Sequence, residues 1–156
     1  MLLQMKQTAG VFVEMTAKGP RVYVAVLKGS RSDASTIELF ILTTPESTLV
    51  GQLADLATTL ANRLDGLRPE ALLIRRADYS KQASNKEGPK ARLIIEGALA
   101  AAAKSILQNI HLCTGKEVAA LGGAGFTKDS IDAHVEQFVD GKIKFNQAAA
   151  AAYVLL

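Results

Sequence analysis

Residues 116–138 read KEVAALGGAGFTKDSIDAHVEQF, which is a short lead-in, a glycine-rich turn and an amphipathic helix. Three glycines within residues 122–125 suit a backbone that adopts positive φ or that another group must approach closely. Thr127 can accept hydrogen bonds from the first helical N–H groups, and Asp129 lies in the first turn, where the helix dipole favours an acid. Apolar residues recur at helical spacing and predict the buried face: Ile131, Val135, Phe138 and Val139.

The composition is that of a globular protein. Of the 156 residues, 49% are apolar and 21% charged, which excludes a disordered or collagen-like chain. This length predicts one domain over residues 1–156. The single cysteine, Cys113, excludes a disulfide framework and a cysteine-based zinc site. No apolar run approaches the length of a membrane span and residues 1–10 lack a signal-peptide core, so we expect a cytoplasmic protein without a membrane partner.

Positive charge is concentrated in one segment. The chain carries a net charge of +3, whereas residues 75–92 hold six basic residues against two acids, a net charge of +4. Two interpretations stay open for this segment: a solvated loop, or an electrostatic footprint for phosphate groups. The second interpretation predicts DNA or RNA as the partner and the following residues as its contacts: Arg75, Arg76, Lys81, Lys86 and Lys90.

Hydrophobic periodicity in the first half predicts three strands and a helix. Alternating apolar residues predict strands over 10–16, 21–28 and 36–43, arranged as an antiparallel meander. Thr44 and Pro45 have the residue types of a helix N-cap and of a first helical position. The buried stripe of the helix that follows is predicted to be Leu49, Leu53, Leu56, Leu60 and Leu64.

The second half alternates short strands with helices. The wholly apolar run 71–74 predicts a central strand covered on both faces. A helix is predicted over 90–107, a strand over 110–113 and a last, alanine-rich helix over 146–156. An antiparallel start followed by alternating strands and helices implies an α/β protein with one mixed sheet and helices on both faces.

Several stretches resemble the RNase H-like fold in its RuvC-type Holliday-junction resolvase branch. Residues 118–135, VAALGGAGFTKDSIDAHV, are similar to the family's valine-rich start, glycine turn and lysine-led helix. Residues 92–103, RLIIEGALAAAA, resemble its second helix, and residues 146–156, NQAAAAAYVLL, resemble its closing helix. Residues 10–27 resemble its opening hairpin. The resemblance covers most of the chain and implies an RNase H-like fold.

The same resemblance implies the residues of a nuclease site. Nucleases of this fold cleave phosphodiesters with two divalent ions held by about four carboxylates. The family's first acid corresponds to Glu14. Its second acid corresponds to Arg75 or to Asp78, and the acid that opens its closing helix corresponds to Asn146. The implied catalytic residues are therefore Glu14, Asp78 and Asn146, and the implied ligands of Mg²⁺ or Mn²⁺ are Glu14 and Asp78.

Each of the three implied catalytic residues could have another role, and Glu96 is a further candidate. Glu14 lies in an apolar strand, where a carboxylate is costly unless it is paired, and this favours a real site. Asp78 could instead pair with a neighbouring arginine, and Asn146 is a good helix N-cap. Glu96 could face the sheet, but glutamates in the middle of a helix are usually solvated.

Two carboxylates make a poor two-metal site. A guanidinium at the second position would bind phosphate but could not generate hydroxide. The sequence therefore favours a nucleic-acid-binding protein with an incomplete metal site, which is catalytically silent or weak. A metal-dependent, structure-selective endonuclease with an altered set of acids is the first alternative. The second alternative is a protein-interaction or dimerisation module whose alanine-rich second helix forms a homodimer surface.

Overall fold

A computed structural model describes residues 5–78 and 87–156 of the protein. These residues form five strands in one sheet of order β3-β2-β1-β4-β5. The first three strands pair antiparallel, β4 pairs parallel with β1, and β5 pairs parallel with β4. The strands are β1 Gln7–Thr16, β2 Gly19–Ser30, β3 Asp33–Leu42, β4 Ala71–Arg75 and β5 Ile110–Cys113. The predicted meander and the mixed α/β sheet are confirmed.

The helices lie on both faces of this sheet, as the sequence predicted. The long helices α1 and α2 pack on one face, and the short helices α3, α4 and α5 lie on the other. They are α1 Leu49–Leu67, α2 Glu87–Ile106, α3 Gly115–Gly122, α4 Lys128–His134 and α5 Asn146–Tyr153. In the part of the chain that the structure describes, no helix has the length and apolar composition needed to cross a bilayer.

The core under α1 and α2 is built from large aliphatic side chains. Leu56, Leu60 and Leu64 are fully buried against strand residues such as Val11 and Ile74. The three leucines recur every four residues, so they form one stripe of the helix surface. The predicted leucine stripe is therefore confirmed for these positions, and Leu49 and Leu53 pack at its partly buried end.

The core on the opposite face is built around the alanine-rich helix α5. A Cβ atom on Gly10 of β1 would lie 1.8 Å from the carbonyl oxygen of Ala148, so the helix backbone contacts the strand directly. The hydroxyl of Thr8 donates to the carbonyl oxygen of Ala152 at 2.6 Å. Small side chains on α5 permit this approach, which explains the alanine run.

The first helix begins later than predicted. Its N-cap is Thr48, whose hydroxyl accepts from the Gly51 N–H at 3.1 Å. The hydroxyl of Thr44 instead accepts from the Glu46 N–H at 3.2 Å and closes a local turn. The prediction of Thr44 and Pro45 as cap and first helical position was wrong because this competing turn uses the threonine side chain.

The glycine-rich stretch contains an additional helix. The segment before the glycine turn forms α3, which begins with a reciprocal capping box between Thr114 and Glu117. After the turn, Thr127 caps α4 as predicted and accepts from the Ser130 N–H at 3.1 Å. Gly123 and Gly125 have φ values of 103° and 94°, so the turn needs glycine at both positions.

The last helix is not capped by Asn146. A 3-10 turn over Ile143–Phe145 leads directly into α5, and Asn146 already has helical dihedral angles. Its side-chain amide donates to Oε1 of Glu136 at 3.4 Å. The predicted N-cap was wrong because the preceding helical turn removes the extended residue that a cap requires.

Candidate functional site

A cleft of about 600 Å³ opens where β1 and β4 end. Glu14 of β1 and Asp78, which follows β4, both line this cleft. Asn146 lies at the start of α5, where it contacts Glu136. The structure thus brings two of the three predicted catalytic residues to one cavity. The lining residues are Phe12, Val13, Glu14, Met15, Ala77, Asp78, Gly88, Pro89 and Arg92.

Glu14 is already paired with other groups of the protein. Side chains alternate along β1, which places Glu14 and Phe12 on the face covered by α5. The ammonium group of Lys144 lies 3.5 Å from the Glu14 carboxylate, and the hydroxyl of Tyr23 donates to the same oxygen at 3.5 Å. The sequence analysis favoured a real site at Glu14; these contacts supply partners for the carboxylate, and its catalytic role stays a prediction.

Asp78 is also paired, by two cations. Lys128 of α4 donates to its carboxylate at 2.5 Å, and Nη2 of Arg75 lies 3.9 Å away. The hydrogen bond from Lys128 is the main reason that the pKa of Asp78 lies below its ordinary value, and Arg75 and Lys128 lower it further through their charge. Asp78 is therefore ionised at neutral pH. Lys128 belongs to the glycine-rich stretch, which thus supplies the partner of a carboxylate that lines the cleft.

Arg75 is the residue that ends the central strand. It pairs in register with Phe12 of β1, and its side chain is only 5% exposed. The guanidinium packs against Gly115, where a Cβ atom would lie 2.0 Å from Nη2, and donates from Nη1 to the carbonyl oxygen of Arg76 at 2.9 Å. Asp78 lies three residues beyond the strand. Direct contact of Arg75 with a nucleic acid would require the side chain to leave this buried position.

The charge of Arg75 is balanced by nearby carboxylates. Burial lowers the pKa of the guanidinium, and Asp78 and Asp132 oppose this shift through their negative charge. Asp132 of α4 is itself half-buried. Burial raises the pKa of its carboxyl, and the positive charge of Arg75 lowers it. A permanently charged guanidinium therefore occupies the interior beside the cleft.

Glu96 of α2 is buried, whereas the sequence analysis favoured a solvated side chain. Its side chain is 1% exposed. Oε2 accepts from the Ala77 N–H at 2.9 Å and from Nε of Arg92 at 3.2 Å. Burial raises the pKa of Glu96, and the charge of Arg92 and the bond from Ala77 oppose this shift. The i, i+4 spacing of Arg92 and Glu96 was the available sequence signal, because such pairs meet on one side of a helix.

Arg92 presents an unpaired donor at the cleft. Its Cζ lies 4.8 Å from the centroid of the Phe12 ring, which is a cation–π geometry. Its Nε bonds Glu96, whereas Nη2 is buried and has no hydrogen-bond partner in the described ranges. A buried guanidinium N–H without an acceptor is costly. Because Nη2 itself is inaccessible, an anion in the cleft would meet the exposed part of the Arg92 side chain, which is 21% exposed.

The remaining basic residues predicted to contact nucleic acid differ in position. Lys90 is exposed in the first turns of α2, with Glu87 3.8 Å away. Arg76 is partly exposed directly after β4. Lys81 and Lys86 lie outside the described residues. Neither residue lines the cleft, although Arg76 precedes the lining residue Ala77 and Lys90 follows the lining residue Pro89.

The side chains present do not fit a two-ion metal site. Within residues 5–78 and 87–156, no three His, Cys, Asp or Glu side chains converge in a way that could hold a metal ion. Glu14 and Asp78 each have a lysine as partner. The side-chain oxygen of Asn146 is buried without a partner in the same ranges, but it is a single neutral donor. Two divalent ions need more oxygen ligands than this set provides.

Solved structures share this fold, although neither a protein-family model nor a curated protein matches the sequence. Thermus thermophilus RuvC superimposes with a TM-score of 0.69 at 18% identity, over 95% of this chain and 92% of that one. The T. thermophilus RuvC complex with a Holliday junction substrate gives 0.68 at 15% identity, over 96% and 91%. The yeast mitochondrial Holliday junction resolvase gives 0.58 at 15% identity, over 96% and 75%.

These neighbours match the backbone of this chain over most of its length, at identities that establish architecture alone. The sequence resemblance to the RNase H-like fold is therefore confirmed at the level of the backbone. The paired carboxylates and the buried Arg75 are features of this chain's own side chains. The protein has an RNase H-like fold in its RuvC-like form.

Proposed function

We propose that the protein binds nucleic acid at the cleft between β1 and α2 and that its metal site is incomplete, which makes it catalytically silent or weak. The observation that carries this proposal is the pairing of both cleft carboxylates with lysines. Lys144 is bound to Glu14, and Lys128 is bound to Asp78. A divalent ion would have to displace these cations before it could bind.

The charge around the cleft supports an anionic ligand. Arg92 lines the cleft with a side chain that is 21% exposed, and Arg76 and Lys90 are the chain neighbours of the lining residues Ala77 and Pro89. Phe12 and Met15 add apolar surface within the same cavity. A positively charged groove that follows the phosphate backbone is a usual element of a single-strand binding site.

An electrophoretic mobility-shift series tests the proposal directly. Four-way junction, duplex and single-stranded DNA and RNA are titrated with the protein at several salt concentrations. We expect binding whose affinity falls as salt rises, because cationic side chains displace counterions from the phosphates. Absence of binding to every probe, or affinity independent of salt, would contradict it.

A pair of matched variants on α2 locates the binding site. Lys90→Gln removes a charge next to the cleft, whereas Lys104→Gln removes one about 21 Å further along the same helix. We expect Lys90→Gln to weaken binding and to reduce the salt dependence by about one released ion, with Lys104→Gln close to wild type. Equal effects of both variants would mean that binding follows net charge rather than the cleft.

The first alternative is a metal-dependent nuclease with an altered set of acids. Glu14 and Asp78 line the same cavity, so two carboxylates remain together where a metal ion could bind, and this supports the alternative. It predicts cleavage of branched DNA in the presence of Mg²⁺ or Mn²⁺ and loss of cleavage in Glu14→Gln. If no junction or flap is cut with either ion, the alternative fails.

The second alternative is a homodimerisation module that uses α2. Leu93 and Ile94 are 44% and 49% exposed on this helix, and a Cβ on Gly97 would have open space around it. A second helix could approach closely along this side. Static light scattering should then give a dimer that Ile94→Lys converts to monomer. A monomer in wild type at high protein concentration would exclude this role.

A further inference from the structure

A second cationic surface lies on the α5 side of the sheet, next to the cleft. It surrounds a cavity of about 400 Å³ that includes Arg21, Tyr23, Ile41 and residues 141–145. We call the group Arg21, Lys142 and Lys144, together with Ile41 and Ile143, the KIK surface. None of these residues belongs to the basic segment that the sequence singled out.

The backbone of the KIK surface is held in place by the fold. Asp140 and Gly141 have φ values of 50° and 77°, which reverse the chain after the 3-10 turn at Val135–Phe138. The Lys142 N–H donates to the carbonyl oxygen of Val139 at 2.9 Å. Phe145 is buried edge-on against Tyr23, with 5.2 Å between ring centroids. The two lysines are thus presented on an anchored segment.

The charges of this surface are mostly unbalanced. Lys144 pairs with Glu14, but Arg21 and Lys142 have no carboxylate within 4.0 Å in the part of the chain that the structure describes. Ile143 is 66% exposed between the two lysines, and Ile41 lies across the cavity. Apolar walls reduce the local dielectric constant, so an anion between these cations would be attracted more strongly than on an open surface.

The KIK surface is continuous with the cleft. Arg21 is the register partner of Glu14 in the β1–β2 ladder, so the two side chains lie next to each other on one face of the sheet. Lys144 bridges the same boundary through its contact with Glu14. A chain of phosphates that leaves the cleft at Glu14 would meet Arg21 and Lys142 next.

We propose that the KIK surface binds the phosphodiester backbone of the same nucleic acid that occupies the cleft. This inference rests on the proposed function and adds to it a second, sequence-independent contact region. Phosphate contacts of this kind position a nucleic acid without reading its bases. The surface therefore contributes affinity and sets the direction in which the strand leaves the cleft.

The test compares two double variants with the same change in net charge. Arg21→Gln/Lys142→Gln removes the two unpaired cations, and Lys6→Gln/Lys28→Gln removes two lysines at the opposite end of the β1–β2 hairpin. Arg21 and Lys28 are separated by about 24 Å along β2. Fluorescence anisotropy with single-stranded and junction probes gives Kd across a salt series, and thermal unfolding checks that both variants fold.

The expected result is selective loss of affinity in the KIK variant. Two lost phosphate contacts should raise Kd about tenfold near 50 mM salt and reduce the slope of log Kd against log salt by about 1.8 for duplex arms or about 1.4 for single strands. The Lys6→Gln/Lys28→Gln control should stay within about twofold of wild type.

Three outcomes overturn the inference, and they differ in what else they remove. Wild-type binding that is retained equally in both double variants excludes the KIK surface while the cleft remains as the binding site. Absence of binding in wild type, on every probe, removes both the cleft proposal and this one. An equal loss in both variants would show a response to net charge alone and would also overturn the assignment.

Discussion

The two faces of the sheet are packed by different kinds of residues. Beneath α1 and α2, leucine, isoleucine and valine side chains fill the space between helix and strand. Beneath α5, the helix backbone itself contacts β1 at Gly10, and Thr8 and Arg75 are buried on the strands. Packing on the first face depends on large side chains that fill the core. Packing on the second face depends on small residues that let the α5 backbone approach the sheet. The charged cleft opens at the end of the second face.

Removal of volume should be most damaging on the α1 face. Leu60→Ala deletes a fully buried side chain, and we expect a loss of about 2–5 kcal/mol in the free energy of unfolding because a cavity remains. Chemical denaturation measures this loss. Val50→Ala in the same helix removes an exposed side chain and should change stability by less than about 0.5 kcal/mol. Similar losses in the two variants would contradict the packing described for α1.

Addition of volume should be most damaging on the α5 face. Gly10→Ala places a Cβ atom within 1.8 Å of a carbonyl oxygen of α5, so the helix must move, and we expect a loss of about 1–3 kcal/mol. Gly66→Ala in α1 is the matched control, since its Cβ would meet open space and helix propensity should add up to about 1 kcal/mol. A neutral Gly10→Ala would show that α5 does not contact β1 as described.

The buried Glu96 should make stability depend on pH in one direction. Its folded-state pKa is raised by burial, so between its unfolded and folded pKa values the native state holds the extra proton. Stability should therefore fall as pH rises from about 4.3, the ordinary value of a glutamate. The difference in unfolding free energy between wild type and Glu96→Gln, measured from pH 4 to 8, should shift in favour of the variant. A flat difference would contradict the burial of this carboxyl.

Asp78 should make stability depend on pH in the opposite direction from Glu96, with a smaller change. Its folded-state pKa is lowered, mainly by the hydrogen bond from Lys128, so its contribution is present above the unfolded value of about 3.9 and is lost as pH falls through the folded value. Wild type should exceed Asp78→Asn in stability at pH 7 by less than about 1 kcal/mol, because the pair is partly exposed. Urea titrations at pH 7 and pH 3 measure the difference, which should be smaller at the lower pH.

The contrast between the two faces also explains what the sequence could predict. Alternation along β1 and β2 and the leucine stripe of α1 are local patterns, and the structure confirms the elements that they predict. The predicted start of α1 was wrong because Thr44 and Thr48 have the same side chain, and only the surrounding turn decides which one caps the helix. α3 was missed although Thr114 and Glu117 have the spacing of a capping box.

The candidate site was predictable only in part. Glu14 and Asp78 were identified through a family resemblance, and the structure places both at one cleft. Their partners, Lys144 and Lys128, are 130 and 50 residues away in sequence, so no local pattern could reveal them. The burial of Glu96 depends on the Ala77 N–H from another element, which is likewise invisible to helical periodicity.

The sequence by itself determined the α/β class, the order of most elements and the concentration of positive charge in residues 75–92. These properties follow from local periodicity and composition, which each segment carries without the others. Only the tertiary structure decided that the carboxylates of Glu14 and Asp78 are paired and that Arg75 lies buried at the end of β4. Electrostatic pairing and burial depend on distances between segments that are remote in sequence, and packing of the sheet sets those distances.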